Sequence, residues 1–194
     1  GACKHGNGHD WWIIAREYDK QSVTIMLLDS AGIHIHSQDQ LSGWDLANRT
    51  ATTGNATNRF SWDGSLFASF THHGAELFDF DRCTGKLSNR REIITPLNDT
   101  FQTTGTGVFS PNDKLLYTGN GKYLYQVELS NLKARTVGVW DGYLDTPIGA
   151  NFGISTDLGI SNLAPNGSIY MTAGVTRYLH SIESPNDTGI LCNF

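Results

Sequence analysis

Cys3, His5, His9 and Asp10 stand within the first ten residues of the chain, in the stretch GACKHGNGHD. These residue types ligate metals or move protons, and a zinc ion takes three or four such N, S or O donors. His5 and His9 are four apart, a spacing that shares one face of a helix, but Gly6-Asn7-Gly8 between them breaks any helix. In a loop, the same glycines let the backbone wrap a small ligand. His5, Asn7, His9 and Asp10 are therefore candidate binding residues. The plainer alternative is a turn at Asn7-Gly8, with His5 packed and Asp10 capping the strand that follows. No residue is assigned as catalytic, and no metal ion or other cofactor is assigned.

Asp79, Asp81 and Thr84-Gly85 form a second constellation, with the alternating oxygens of a calcium loop. Cys83 occupies a ligand position and the glycine comes one place late, so an Asp-assisted turn at a strand end accounts for it better. His72-His73 before Gly74 reads as a turn between strands. Gly105-Thr106-Gly107 is glycine-rich, but no helix follows it to cradle a phosphate. Nucleophile-elbow, zinc-protease, P-loop and dinucleotide-binding patterns are all absent from the sequence.

What must position such side chains is a repeat. FSWDGSL (60–66), FSPNDKL (109–115) and LAPNGSI (163–169) share one order: apolar, small, turn-forming residues, polar, apolar. Each reads as two strands joined by a tight hairpin. A second element follows each turn at a similar distance, as Leu77–Asp81, Leu124–Glu128 and Leu179–Glu183. Residues two apart share a strand face, so Phe78 and Phe80, Tyr125 and Val127, and His180 and Ile182 are expected to point inward together. His180, where the other copies have an aromatic ring, packs between blades or faces a central channel; it joins the candidate binding residues.

The period of about 50 residues holds four short strands, the size of a propeller blade. The expected fold is all-β: a β-propeller or part of one, about four blades of short antiparallel strands, at 11–45, 57–100, 105–145 and 150–194. A more divergent unit makes the first blade, and Ser42 to Asn58 reads as a long loop. An open end of such an array exposes strand edges and an apolar face. The remaining blades of the same protein, or a second copy of the chain, are expected to close it.

Composition agrees. Charged residues are 17%, and 21 glycines suit tight loops. The net charge of −5 and scattered basic residues exclude nucleic acid as the main partner. The cluster Arg82, Lys86, Arg90 and Arg91 reads as a solvated loop. No apolar run approaches the roughly 20 residues of a membrane span, so membrane insertion is not expected. Cys3, Cys83 and Cys192 allow one disulfide plus a free thiol, or three thiols.

GACKHGNGHDWWII, FSWDGSLFA, LFDFDRCTGKLSN, FSPNDKLLY and YLHSIESPNDTGILCNF together resemble a recurrent segment of large secreted surface proteins of Bacteroidetes. Those proteins leave the cell by type IX secretion through a separate C-terminal sorting domain, and the segment is similar to WD40-like or YVTN-like propellers. The resemblance implies a secreted or cell-surface location and a segment of a longer protein. It supplies no established activity, and similar segments often carry Arg at the place of His9. The expected function is a non-catalytic binding or display module for protein or glycan. The alternative is a lactonase- or lyase-like propeller enzyme, or a metal-binding domain, with its site at the central channel.

Overall fold

The computed structural model describes residues 1–16, 22–40, 57–71, 74–95, 106–146, 148–149, 151–173 and 176–194. It is all-β, as expected. Four antiparallel sheets are arranged as the blades of a β-propeller. The first blade is β1 (Ala2–Lys4), β2 (Trp11–Arg16), β3 (Ser22–Asp29) and β4 (Gly32–Gln40). The second is β5 (Asn58–Phe60), β6 (Leu66–Thr71), β7 (Gly74–Asp81) and β8 (Lys86–Ile93). The third is β9 (Gly107–Phe109), β10 (Leu115–Gly119), β11 (Tyr123–Glu128) and β12 (Lys133–Val139). A small hairpin, β13 (Leu144–Asp145) and β14 (Ile154–Ser155), precedes the last blade: β15 (Ser161–Leu163), β16 (Ile169–Thr172) and β17 (Leu179–Ile182). In every blade, strands pair in chain order. A 3-10 turn at Gly189–Cys192 is the only helical element among the described residues.

One turn recurs in all four blades, between the first and second strands. The hydrogen bonds Gly8 N–H to His5 O (3.0 Å), Gly64 to Ser61 (3.0 Å), Asp113 to Ser110 (3.0 Å) and Gly167 to Ala164 (2.9 Å) are equivalent. The donor residues have φ of 77°, 74°, 54° and 84°, the left-handed region that Gly tolerates without a steric penalty and that Asp and Asn reach most easily among the rest. The residue before each is Asn or Asp, and its side-chain oxygen accepts the N–H two residues on. These bonds are His9 to Asn7 (3.0 Å), Ser65 to Asp63 (2.8 Å), Lys114 to Asn112 (3.1 Å) and Ser168 to Asn166 (3.1 Å). Such an Asx bond gives the backbone a local substitute for the ladder it has just left. The first blade therefore begins at Ala2, ahead of the Trp11 where apolar patterning starts, because its first hairpin is a fourth copy of the repeat.

Apolar seams hold neighbouring blades face to face. Trp12, Ile14, Val23 and Ile25 of the first blade meet Phe67, Phe78 and Phe80 of the second. Ala68, Phe70 and Leu77 of the second meet Phe109, Leu116 and Val127 of the third. Leu115, Tyr117 and Leu124 meet Ile169, Met171 and Ile182 of the fourth. Alternation along β6 explains the middle blade: Phe67 points to one neighbour, and Ala68 and Phe70 to the other. Of the inward residues expected in the repeat, Phe78, Phe80, Val127 and Ile182 are seam residues, Tyr125 is buried, and His180 is only half-buried.

The first blade has a second apolar face. Cross-strand partners put Trp11, Leu28 and Ile33 in one row and Ile13, Met26 and Ile35 in the next. Ile33 is 61% exposed and Ile35 71%. This is the patterning of a sheet packed on both sides.

One sequence expectation changes here, and one open alternative is resolved. Lys86, Arg90 and Arg91 lie in β8, not in a loop; Arg90 pairs with buried Glu76 and Arg91 with Asp79, so two of the four basic residues are held in ion pairs within the blade. The three cysteines are unpaired, Cys3 and Cys192 buried and Cys83 exposed. His72-His73, Gly105 and the expected loop up to residue 56 lie outside the described residues.

Trp12 shows how tightly a seam is keyed. Its indole N–H donates to Arg82 O at 2.8 Å, and Phe80 meets the ring edge-on at 6.1 Å. Gly85, at φ 71°, closes the β7–β8 turn so near that an added Cβ would sit 2.6 Å from this ring. Gly85→Ala is expected to cost about 1–3 kcal/mol from backbone strain and overpacking. Urea denaturation checks this; an unchanged midpoint would contradict the packing.

Candidate functional site

The opening cluster closes upon itself. Asn7 Oδ1 accepts both His9 N–H (3.0 Å) and Asp10 N–H (3.1 Å), and Asn7 Nδ2 donates to Asp10 Oδ2 at 2.6 Å. His5 Nδ1 accepts the Asn7 N–H at 3.0 Å, while the imidazole stacks on Trp12 with centroids 5.2 Å apart. Burial pushes the Cys3 thiol up to about 11, against smaller opposing effects of Arg82 and the chain's first amine. Among the described residues no group of three or more His, Cys, Asp or Glu side chains could hold a metal ion.

The remaining candidates are equally committed to structure. His180, in the fourth blade, has Nε2 2.6 Å from Thr156 O and its ring near Phe194. It is not brought together with the first-blade residues. Asp81 accepts Cys83 N–H (2.8 Å) and Thr84 Oγ1 (2.7 Å), the turn expected there, and Asp79 faces Asn89 and Arg91.

A different set of residues lines a concave site. A cavity of about 680 Å³ runs along the first strands of all four blades, including Lys4, Arg59, Phe60, Phe109 and Asn162. Such strands surround the propeller axis, and this volume lies in the usual range for ligand sites. Phe60 packs on Phe67 and Phe80 and forms apolar floor. Arg59 Nη2 crosses to the fourth blade, donating to Asn162 Oδ1 at 2.7 Å and to Ser161 O at 3.3 Å. The Ser61–Gly64 turn and Arg82 also line it.

That turn holds Trp62 out. Asp113, from the equivalent turn of the next blade, accepts the N–H groups of Trp62 (2.7 Å) and Asp63 (2.9 Å). Burial raises the Asp113 carboxyl's pKa, more than these two bonds lower it. The backbone is thus fixed from both sides, yet the indole of Trp62 is 80% exposed. Asp63 is the one carboxylate on the lining. Burial opposes its charge, but hydrogen bonds from Ser65 and Ser61 and the charge of Arg82 outweigh this and hold the pKa below the usual range.

Sequence reasoning did not assign Lys4, Arg59, Trp62 or Arg82 to a site. For Trp62 a signal was present: aligned copies of the turn carry Gly6, Trp62, Pro111 and Pro165 at one position, and the tryptophan serves no need of the turn.

No family model matches the chain, and no curated protein matches it. Solved structures do. The β-propeller domain of Myceliophthora thermophila Cps50 (Swd1) superposes with a TM-score of 0.57 at 12% identity, over 94% of this chain and 51% of that one. The periplasmic gluconolactonase PpgL of Pseudomonas aeruginosa gives 0.53 at 12%, over 97% and 51%. A streptogramin B lyase gives 0.53 at 11%, over 95% and 56%. The chain therefore has a propeller fold and spans about half the length of these proteins.

The turn interpretation of the opening cluster predicts a split among its residues. Asn7→Ala is expected to lower stability by about 1 kcal/mol, through loss of a doubly accepting oxygen. His9→Ala should leave the melting temperature unchanged, and excess zinc should not raise it. A zinc-dependent rise that His9→Ala abolishes would restore the metal reading.

Proposed function

We propose that this chain is the binding module of an exported cell-surface protein, non-catalytic, with its protein or glycan ligand seated in the axial cavity. The observation that carries this reading is the Trp62 ring: large, apolar, exposed, and mounted on a turn fixed by Asp113. An exposed aromatic costs a monomer solubility and contributes nothing to its core, whereas at the lip of a cavity it supplies contact area at small entropic cost. Among the described residues no helix is long and apolar enough to cross a membrane. The resemblance to type IX-secreted surface proteins and the periplasmic location in the gluconolactonase's name support export.

The enzyme alternative draws on the gluconolactonase and lyase among the similar structures. Against it stands the cavity's chemistry. Asp63 is its one lining carboxylate, already accepts bonds from Ser61 and Ser65, and has a lowered pKa. It is poorly matched to general-base work near neutral pH.

The test compares wild-type protein with Trp62→Ala on arrays of oligosaccharides and peptides. Saturable binding is expected, weakened at least tenfold by Trp62→Ala with melting temperature retained. Binding that ignores Trp62, or no binding on either array, overturns the proposal. Turnover of a lactone that Asp63→Asn abolishes would favour the enzyme.

A further inference from the structure

The axial cavity is cationic in an acidic chain. The whole sequence carries a net charge of −5. Yet Lys4, Arg59 and Arg82 line the cavity against Asp63 alone. None of the three cations pairs with a carboxylate among the described residues. Arg59, half-buried, spends its bonds on the neutral acceptors Asn162 and Ser161. Arg82 donates Nη1 to the backbone oxygen of Asp63, and its buried Nε has no hydrogen-bond partner among the described residues. The charge of Arg82 acts on the Asp63 carboxylate, whereas half-buried Arg59 meets only neutral acceptors, and an arriving anion would offset part of the cost of its desolvation. Lys4 lies over the ring of Trp11, 5.8 Å from its centroid, at the cavity's edge.

Resting on the proposal that this cavity is the binding site, we infer that its ligand is an oligosaccharide bearing a carboxylate, a uronate-type sugar. Arg59 donates to Asn162 and Ser161 through Nη2 alone, so Nε and Nη1 are the charged N–H groups it can turn to a carboxylate. Trp62 offers a flat apolar face to the C–H side of a pyranose ring. The two lie three residues apart, on β5 and the turn that follows it, so one sugar chain meets both. A purely acidic peptide, such as an oligoglutamate, would satisfy the arginine but has no ring face to set against the fixed indole.

Isothermal titration of the intact chain with trigalacturonate, neutral galactotriose and hexaglutamate tests this. Trigalacturonate is expected to bind at least tenfold tighter than galactotriose at low salt, with the advantage shrinking at high salt. Arg59→Gln should remove that advantage, leaving weak, equal binding of both sugars. Trp62→Ala should weaken both. Equal binding of the two sugars to wild-type protein overturns the inference while leaving the cavity as a Trp62-dependent site. Hexaglutamate binding as tightly as trigalacturonate overturns the sugar assignment. No binding of any probe overturns the inference; the Trp62 comparison on arrays then decides the broader reading separately. Melting temperatures of both variants within a few degrees of wild type exclude misfolding as the cause.

Discussion

An Asn or Asp oxygen accepting the N–H two residues on is the interaction from which each blade starts. It bends the chain back after a three-residue first strand, too short to hold its own hairpin. In the second and third blades a Ser hydroxyl reinforces it: Ser61 and Ser110 each donate to the Asx side chain and accept the N–H of the following strand's first residue. The fourth blade has Ala164 there, and the first has His5, whose ring nitrogen accepts the Asn7 N–H instead. The Asx oxygen is common to all; its helpers vary. Because the turn is locally satisfied, the first strands are free to line an axis, where backbone groups would otherwise need partners.

Seams between blades do the rest. A blade inside the array needs both faces apolar, which is why β6 reads Leu-Phe-Ala-Ser-Phe without polar alternation. The first blade obeys the same rule on a face that no seam between described blades covers, where Trp11, Ile13 and Met26 stand behind Ile33 and Ile35. Its two faces differ in detail. The seam side carries the keyed Trp12, with a hydrogen bond to Arg82 and a close glycine, and the other carries aliphatic rows without such locks.

The fold was legible because the repeat is written in residues with strong backbone preferences. Pro111, Pro165, Asn112, Asn166, Gly64 and Gly167 mark the same turn in three copies at nearly constant spacing. The fourth copy escaped for a physical reason. His5 stands in the small-residue position, and Asp10 where the others have Leu66, Leu115 or Ile169, so its apolar frame is missing. What remained were residue types associated with chemistry, and these drew the reading to the side chains rather than to the turn that carries them. The cavity was illegible for the opposite reason. Arg59 is one arginine in a three-residue strand, and its meaning depends on Asn162 and Ser161 a hundred residues on, which no local pattern records.

The repeated turn also explains where function can vary. Its own hydrogen bonds are made by the Asx residue and the residues flanking the pair, so the turn asks nothing of the side chain before Asx, although at Gly6 an added Cβ would meet Cys83 Sγ at 2.5 Å. Gly6, Trp62, Pro111 and Pro165 all satisfy it. Proline is the choice that serves the turn, by presetting φ. A tryptophan there forgoes that gain, and the second blade recovers rigidity from outside, through the Asp113 carboxylate on two consecutive N–H groups. A borrowed anchor under an unsupported ring is hard to account for by folding alone. It fits a scaffold whose variable turn position has been given over to contact with something else, beside three cations that form no ion pair among the described residues.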